Sequence, residues 1–224
     1  MKTRDYRRDV DSIRPLVVCG TVLFLLGWGL YVFFQVDLAL TLKMLLQQGA
    51  DEATLEAAIG DAAPRGMVIL LATLGMVPCG IAIYRATRTA HAVDADAMTI
   101  SPGWSIGWFF VPFANLLMPF RALAETYRVS IGDADGGYND GNLPWQMQYW
   151  WGLWVCSRII GAFATLVTSR SPSDIAGLGT LLVEVGTFLV DIVTAALFVW
   201  VMLRIALNLR VRLAVAEAPS EGGV

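Results

Sequence analysis

The chain has 224 residues, 56% hydrophobic and 16% charged, with a formal net charge of −3 and a mean hydropathy of +0.60. Soluble domains carry about 25% charged residues, so these values exclude an ordinary globular protein. The absence of a dense basic patch with interleaved aromatics excludes nucleic acid as an expected partner.

The apolar residues fall in long uninterrupted runs, the pattern of membrane crossings rather than of half-buried strands. Residues 1–14, MKTRDYRRDVDSIR, form a basic arm. Residues 15–36, PLVVCGTVLFLLGWGLYVFFQV, are the first expected crossing. This run exceeds the 7–15 apolar residues usual for a cleaved leader and no small-x-small site follows it, so a retained signal anchor is expected. The segment from Asp37 to Arg65 carries apolar residues at helical spacing (Leu40, Met44, Leu45; Leu55, Ala58, Ile59), broken by Gly49 and Gly60. It reads as two short surface helices, the second capped by Asp51. Residues 66–86 are the second crossing, with a kink expected at Pro78. Residues 146–168 and 178–203 are the third and fourth. Each holds enough residues, at about 1.5 Å rise, to cover a hydrocarbon core of about 30 Å. GDADGGYNDGN at 132–142 misses the acid spacing of an EF-hand loop and reads as a hinge. Residues 215–224 are polar and small, the composition of a disordered tail.

Basic residues set the orientation. Lys2, Arg4, Arg7, Arg8 and Arg14 precede the first crossing, Arg85, Arg88, Arg121 and Arg128 follow the second, and Arg204, Arg210 and Arg212 follow the fourth. Only Lys43, Arg65 and Arg170 fall in the other loops, and Arg158 lies inside a crossing. The positive-inside rule then puts both termini in the cytoplasm of a multi-pass inner-membrane protein with four spans.

Residues 101–130, SPGWSIGWFFVPFANLLMPFRALAETYRVS, must be fitted into that threading. A fifth span at 103–120 would carry Arg121, Arg128 and the basic residues of the tail to the outer side. Pro112 would also break a helix there by removing a donor and clashing with the preceding turn. A re-entrant or interfacial element over 101–120, entered from the cytoplasmic side, is expected instead, with its irregular backbone covered by protein or water. Ser101 and Pro102 read as N-cap and first helical residue. Trp104, Trp108 and Pro112 share one face, and tryptophan favours the headgroup layer. Gly103 and Gly107 are four apart, a small-xxx-small surface for another helix. Asn115 is expected to bond freed carbonyls or line a wet cavity. After Pro119, residues 120–130 form an amphipathic helix, with Arg121, Glu125 and Arg128 along one edge as ion pairs or lipid-phosphate contacts.

This stretch resembles the signature of a bacterial membrane-protein family catalogued as domain of unknown function 4328. The resemblance rests on Ser101, Pro102, Gly103, Trp104, Gly107, Trp108, Phe109, Pro112, Asn115, Pro119, Phe120 and Arg121. It continues less specifically through Glu125, Trp150 and Trp151, and extends from the first crossing to the fourth. It implies membership of a family with no established activity. Relatives with an added soluble amino-terminal module are implied too, where this chain has only its short arm.

Arg158 in the third crossing faces Glu184 and Asp191 in the fourth when the chain is folded about SRSPSD at 169–174. Unpaired charges at the bilayer centre cost about 2.5–3.5 kcal/mol each or more. One arginine clasped by two carboxylates, either as a structural lock or as a titrating site, is therefore expected. Cys19, Cys79 and Cys156 fall within apolar runs and read as small packing residues; with His91 placed in a loop, a shared metal site has little support.

The expectation is an all-α polytopic membrane helix bundle of four transmembrane helices plus a proline-broken re-entrant or interfacial element, a single domain over 15–214. The bilayer is its expected partner, joined by a protein partner or a second copy. No nucleophile–base pair, nucleotide loop or metal spacing is present, so the chain is expected to be no enzyme and to need no cofactor. A non-catalytic scaffold, sensor or interaction protein is the first reading. A small proton-coupled transporter or channel built on Arg158, Glu184, Asp191 and Asn115 is the alternative.

Overall fold

The computed structural model describes residues 2–60, 63–133, 143–170 and 174–217. Among them every regular element is helical: α1 (Lys2–Gln47), α2 (Glu52–Gly60), α3 (Ala63–Val93), α4 (Pro102–Gly107), α5 (Met118–Ile131), α6 (Trp145–Arg170) and α7 (Asp174–Glu217). Two 3₁₀ turns, Trp108–Phe110 and Ala114–Leu116, lie between α4 and α5. Asp5–Gln47, Gly66–Val93 and Leu181–Ala216 are each long and apolar enough to cross a membrane. The expected third crossing is an unbroken helix of 26 residues, α6.

The elements run past their expected ends. The basic arm is the start of α1, which passes through Pro15 without interruption. Val10, Ile13 and Val17, at helical spacing, are buried, so the arm packs on the protein instead of standing free. The first of the two expected outer helices is likewise the end of α1. Its last turn closes at Gly49, where φ is +71°, a conformation glycine adopts at no steric cost. α2 does start at Asp51, whose Oδ1 accepts the backbone N–H of Thr54 at 3.0 Å and the Thr54 hydroxyl at 2.5 Å. α3 is continuous through Pro78. His91 lies in its last turn rather than in a loop. The expected hinge and tail fall mostly outside the described residues.

The chain divides into two compact units. The first comprises Met1–Cys19, Val77–Trp151 and Ala195–Val224. Its buried residues include Ile13 and Val17 of α1, Ala82, Ala86 and Ala90 of α3, Leu123 and Val129 of α5, Met147 of α6, and Val201, Met202, Ile205 and Leu209 of α7. α5, expected as an amphipathic helix over 120–130, is a helix with nine of its 14 residues buried. It is tied in by polar contacts: Thr126 Oγ1 lies 3.2 Å from Thr87 Oγ1, and Asn208 Nδ2 donates to Ser130 Oγ at 3.4 Å. Buried hydroxyls satisfied in this way cost little, so a helix that reads as half polar can lie inside. α5 ends at Gly132, φ +82°, where the N–H of Asp133 closes back on the Arg128 carbonyl at 3.1 Å. A Cβ on Gly132 would also lie 3.0 Å from the Arg212 guanidinium.

The second unit comprises Gly20–Met76 and Gly152–Thr194. Thr21, Ser157, Asp191 and Thr194 are buried, as are Val32, Val68 and Ala72, whereas Phe33, Met67, Leu70, Ile159, Phe163, Leu182 and Leu189 are exposed. Such a surface would aggregate in water, and it suits a lipid surround. Here α1 and α3 touch backbone to backbone. A Cβ on Gly27 would fall 2.4 Å from Ala72 N, and one on Gly75 would fall 2.5 Å from Phe24 N and 2.7 Å from the Gly20 carbonyl. Small residues let helices approach to this distance, where dispersion must supply what the hydrophobic effect cannot in lipid.

Candidate functional site

Two constellations hold the residues singled out from the sequence, one in each unit.

In the first unit, residues 101–117 form a folded cap rather than one helix. Ser101 has extended backbone, its carbonyl accepts the Ser105 N–H at 3.0 Å, and Pro102 follows at the first helical position. The expected side-chain cap is not made. The hydroxyl that bonds back is that of Ser105, to the Pro102 carbonyl at 2.7 Å. The Gly103/Gly107 surface receives no second helix: Gly103 is open, and Gly107 lies under the Trp104 ring, 3.0 Å from where its Cβ would be. α4 is only six residues long, too short to offer a packing groove. Trp104 and Trp108 do pair, with ring centroids 4.6 Å apart.

Beyond Trp108 the chain turns twice. The N–H of Asn115 donates to the Val111 carbonyl at 3.0 Å, and that of Ala114 to the Pro112 carbonyl at 2.7 Å. The Asn115 carboxamide makes no hydrogen bond among the described residues, so the backbone of Asn115, not its side chain, serves the break. Phe113 has φ +62° and ψ −41°, a region costly for any residue with a Cβ. Around this turn Phe110, Phe113 and Leu117 are 82%, 85% and 67% exposed.

The cap is fastened to α6 by Trp151. Its indole Nε1–H donates to the Leu116 carbonyl at 3.0 Å. Its ring meets Phe109 edge-on at 6.5 Å and stacks on Phe120 at 6.2 Å. α4 lies against α3 at Gly80, where a Cβ would come within 3.8 Å of Ile106. Pro119 is buried in the first turn of α5.

The expected edge of Arg121, Glu125 and Arg128 is divided. Arg121 Nε pairs with Glu125 Oε1 at 3.3 Å, while Arg128 is buried. Glu125 also accepts the backbone N–H groups of Thr99 and Ile100 at 3.0 and 3.1 Å, and the Thr99 hydroxyl at 2.5 Å. It thereby holds the linker into α4. His91 Nε2 lies 2.9 Å from the Ile100 carbonyl and steadies the same linker.

Asp9, which the sequence reading passed over, gathers Arg85 (3.7 Å) and Arg88 (3.2 Å). Arg85 also donates to Ser12 Oγ at 2.5 Å, and Arg88 stands over the Tyr6 ring. Asp5, Arg8, Asp9, Ser12, Arg85 and Arg88 line an open groove of about 570 Å³.

In the second unit Arg158 Nη2 donates to Asp191 Oδ1 at 2.7 Å and Oδ2 at 2.5 Å. The Ser157 hydroxyl adds a contact to Asp191 Oδ1 at 3.3 Å. Glu184 is not part of this pair, so the expected double clasp does not form. Glu184 and Asp191 share a face of α7 but stand seven residues apart, about 10 Å along the axis, and one guanidinium reaches only one of them. Glu184 meets α1 instead: Tyr31 Oη donates to Glu184 Oε1 at 3.5 Å, and Gln35 Nε2 donates to Tyr31 Oη at 3.0 Å. The spacing of Tyr31 and Gln35, i and i+4 near the end of an apolar run, is the signal that could have pointed to them.

Cys19 and Cys156 are exposed and Cys79 is half-buried, and none of the three is in a disulfide among the described residues. Among the described residues no three His, Cys, Asp or Glu side chains gather as a metal site would require.

No curated protein and no solved structure matches the chain. The match to a family begins at residue 48, after the first expected crossing, and takes in the whole cap and both members of the ion pair. A family model described as "Domain of unknown function (DUF4328)" matches residues 48–207, and the chain belongs to that family.

Proposed function

We propose that this is a non-catalytic inner-membrane protein that organises or senses at the cytoplasmic face of the bilayer. In this reading α1, α3, α6 and α7 each cross once, both termini are cytoplasmic, and the cap at 101–117 dips into the inner leaflet without crossing. The observation that carries it is the strained turn at Phe113, with Phe110 and Leu117 exposed beside it. Large apolar side chains held outward at a backbone cost have a use only if lipid or a partner receives them. Two depth markers support lipid. The cap meets α3 at Gly80 and α6 at Trp151, each about six residues inside the expected cytoplasmic end of its crossing, or about 9 Å. Trp104, exposed beside Trp108, suits the headgroup layer above such a tip.

The test is depth. Phe113→Cys, in a chain whose three cysteines are replaced, is labelled with a nitroxide and reconstituted. Accessibility to oxygen but not to a water-soluble nickel chelate supports the reading. Accessibility to nickel equal to that of a label at Asp133 contradicts it.

A second reading, a small proton-coupled transporter or channel, is favoured by one observation: a carboxylate, Glu184, lies within a membrane-capable helix and outside the Arg158–Asp191 pair. Intramembrane acids of this kind commonly mark ion paths. A proton or solute flux in liposomes that Glu184→Gln abolishes in a folded protein would establish it.

A further inference from the structure

We propose that Trp28, Tyr31, Gln35 and Glu184 form a binding site for a lipophilic organic cation. The inference concerns the second unit alone and does not depend on the interfacial cap.

Three observations converge on the site. The first is charge. Glu184 forms no ion pair among the described residues, and Arg158 is engaged by Asp191. A carboxylate in an apolar surround without a countercharge is costly and attracts either a proton or a cation.

The second is aromatic geometry. Trp28, Tyr31 and Gln35 lie at i, i+3 and i+7 on α1 and so form one stripe. Trp28 and Tyr31 stack at 5.1 Å with an interplanar angle of 14°, and the Tyr31 hydroxyl meets Glu184. A cation paired with the carboxylate would lie near this stacked pair, whose outer faces attract positive charge.

The third is access. Tyr31, Gln35 and Glu184 all remain partly exposed, so the carboxylate can be reached. Phe33 and Leu182 nearby in sequence are exposed, leaving apolar surface for the hydrocarbon of a ligand.

These features select the class of ligand. A small metal cation needs several oxygen donors to replace its water, and one carboxylate with one amide does not supply them. A quaternary ammonium or phosphonium ion has diffuse charge, sheds water readily and fits aromatic faces.

Tetraphenylphosphonium is the probe, with the full chain in lipid nanodiscs, and tetraphenylborate is the anion of the same shape. Saturable binding of the phosphonium and none of the borate is expected. Glu184→Gln should weaken binding at least tenfold with the melting temperature held, and Trp28→Leu should weaken it severalfold. Absence of saturable phosphonium binding overturns the proposal. So does equal binding of cation and anion by the native chain, a result that stands even if the variants fail to fold. Undiminished binding by a folded Glu184→Gln variant overturns it as well.

Discussion

Arg158 and Asp191 meet through a single guanidinium nitrogen, Nη2, which lies 2.7 Å from Oδ1 and 2.5 Å from Oδ2. Asp191 is 2% exposed at its side chain and Arg158 is 40% exposed, so the carboxylate is the enclosed partner. Ser157 supplies its further contact. The pair joins α6 to α7.

Asp191→Asn should therefore destabilise the protein, by up to about 3–5 kcal/mol, the loss when a buried pair is broken, because Arg158 is left without its countercharge. Glu184→Gln should change stability by less than about 1 kcal/mol, the scale of one neutral hydrogen bond. Denaturant titration in detergent micelles compares the two. Equal losses would restore the double clasp that the geometry argues against.

Helix approach gives a second contrast. Gly75→Val places side-chain atoms into the Phe24 and Gly20 backbone, and neither helix can yield without losing its other contacts. A large drop in folded yield is expected. Gly103→Ala meets nothing within 4 Å and should be neutral, or stabilising by up to about 1 kcal/mol through helix propensity. Melting temperatures of the purified variants decide.

That contrast shows what the sequence could convey. Gly103 and Gly107 present the motif for close helix packing, but α4 ends after six residues and the Trp104 ring folds over Gly107. The real crossing uses Gly27, Ala72 and Gly75, which no local pattern singles out, because their value depends on a second helix. The long apolar helices of α1, α3 and α7 were legible from their runs alone. The burial of α5 was not: Thr126 and Ser130 look solvent-facing until Thr87 and Asn208 are seen to satisfy them. The level of Arg158 against α7 followed from folding the hairpin. Which acid it would take did not, because Tyr31 comes from α1, some 150 residues away in sequence.

Trp151 is the fastening of the cap. Trp151→Phe keeps a ring against Phe109 and Phe120 but removes the donor to Leu116, and should cost about 1 kcal/mol. Trp151→Ala removes both and should cost about 3–5 kcal/mol. If the cap is held mainly by this residue, amide exchange at 114–117 will quicken in the alanine variant well before global unfolding.

Asp51 provides a pH signature. The Thr54 hydroxyl and then its backbone N–H hold the Asp51 carboxyl below its ordinary value. A folded-state value lowered in this way contributes stability above the unfolded pKa, and that contribution disappears as pH falls through the folded one. The first turn of α2 should therefore fray in acid, visible as faster exchange of the Thr54 amide. Asp51→Asn, which caps without titrating, should show no such dependence.

The central claim is that residues 101–120 enter the bilayer from the cytoplasmic side and return. A single cysteine at Gly136, in a chain lacking Cys19, Cys79 and Cys156, tests it in intact and opened cells with a membrane-impermeant maleimide. Labelling only after the inner face is exposed is the predicted result. Labelling of intact cells from outside would mean that the cap crosses, and would contradict the account.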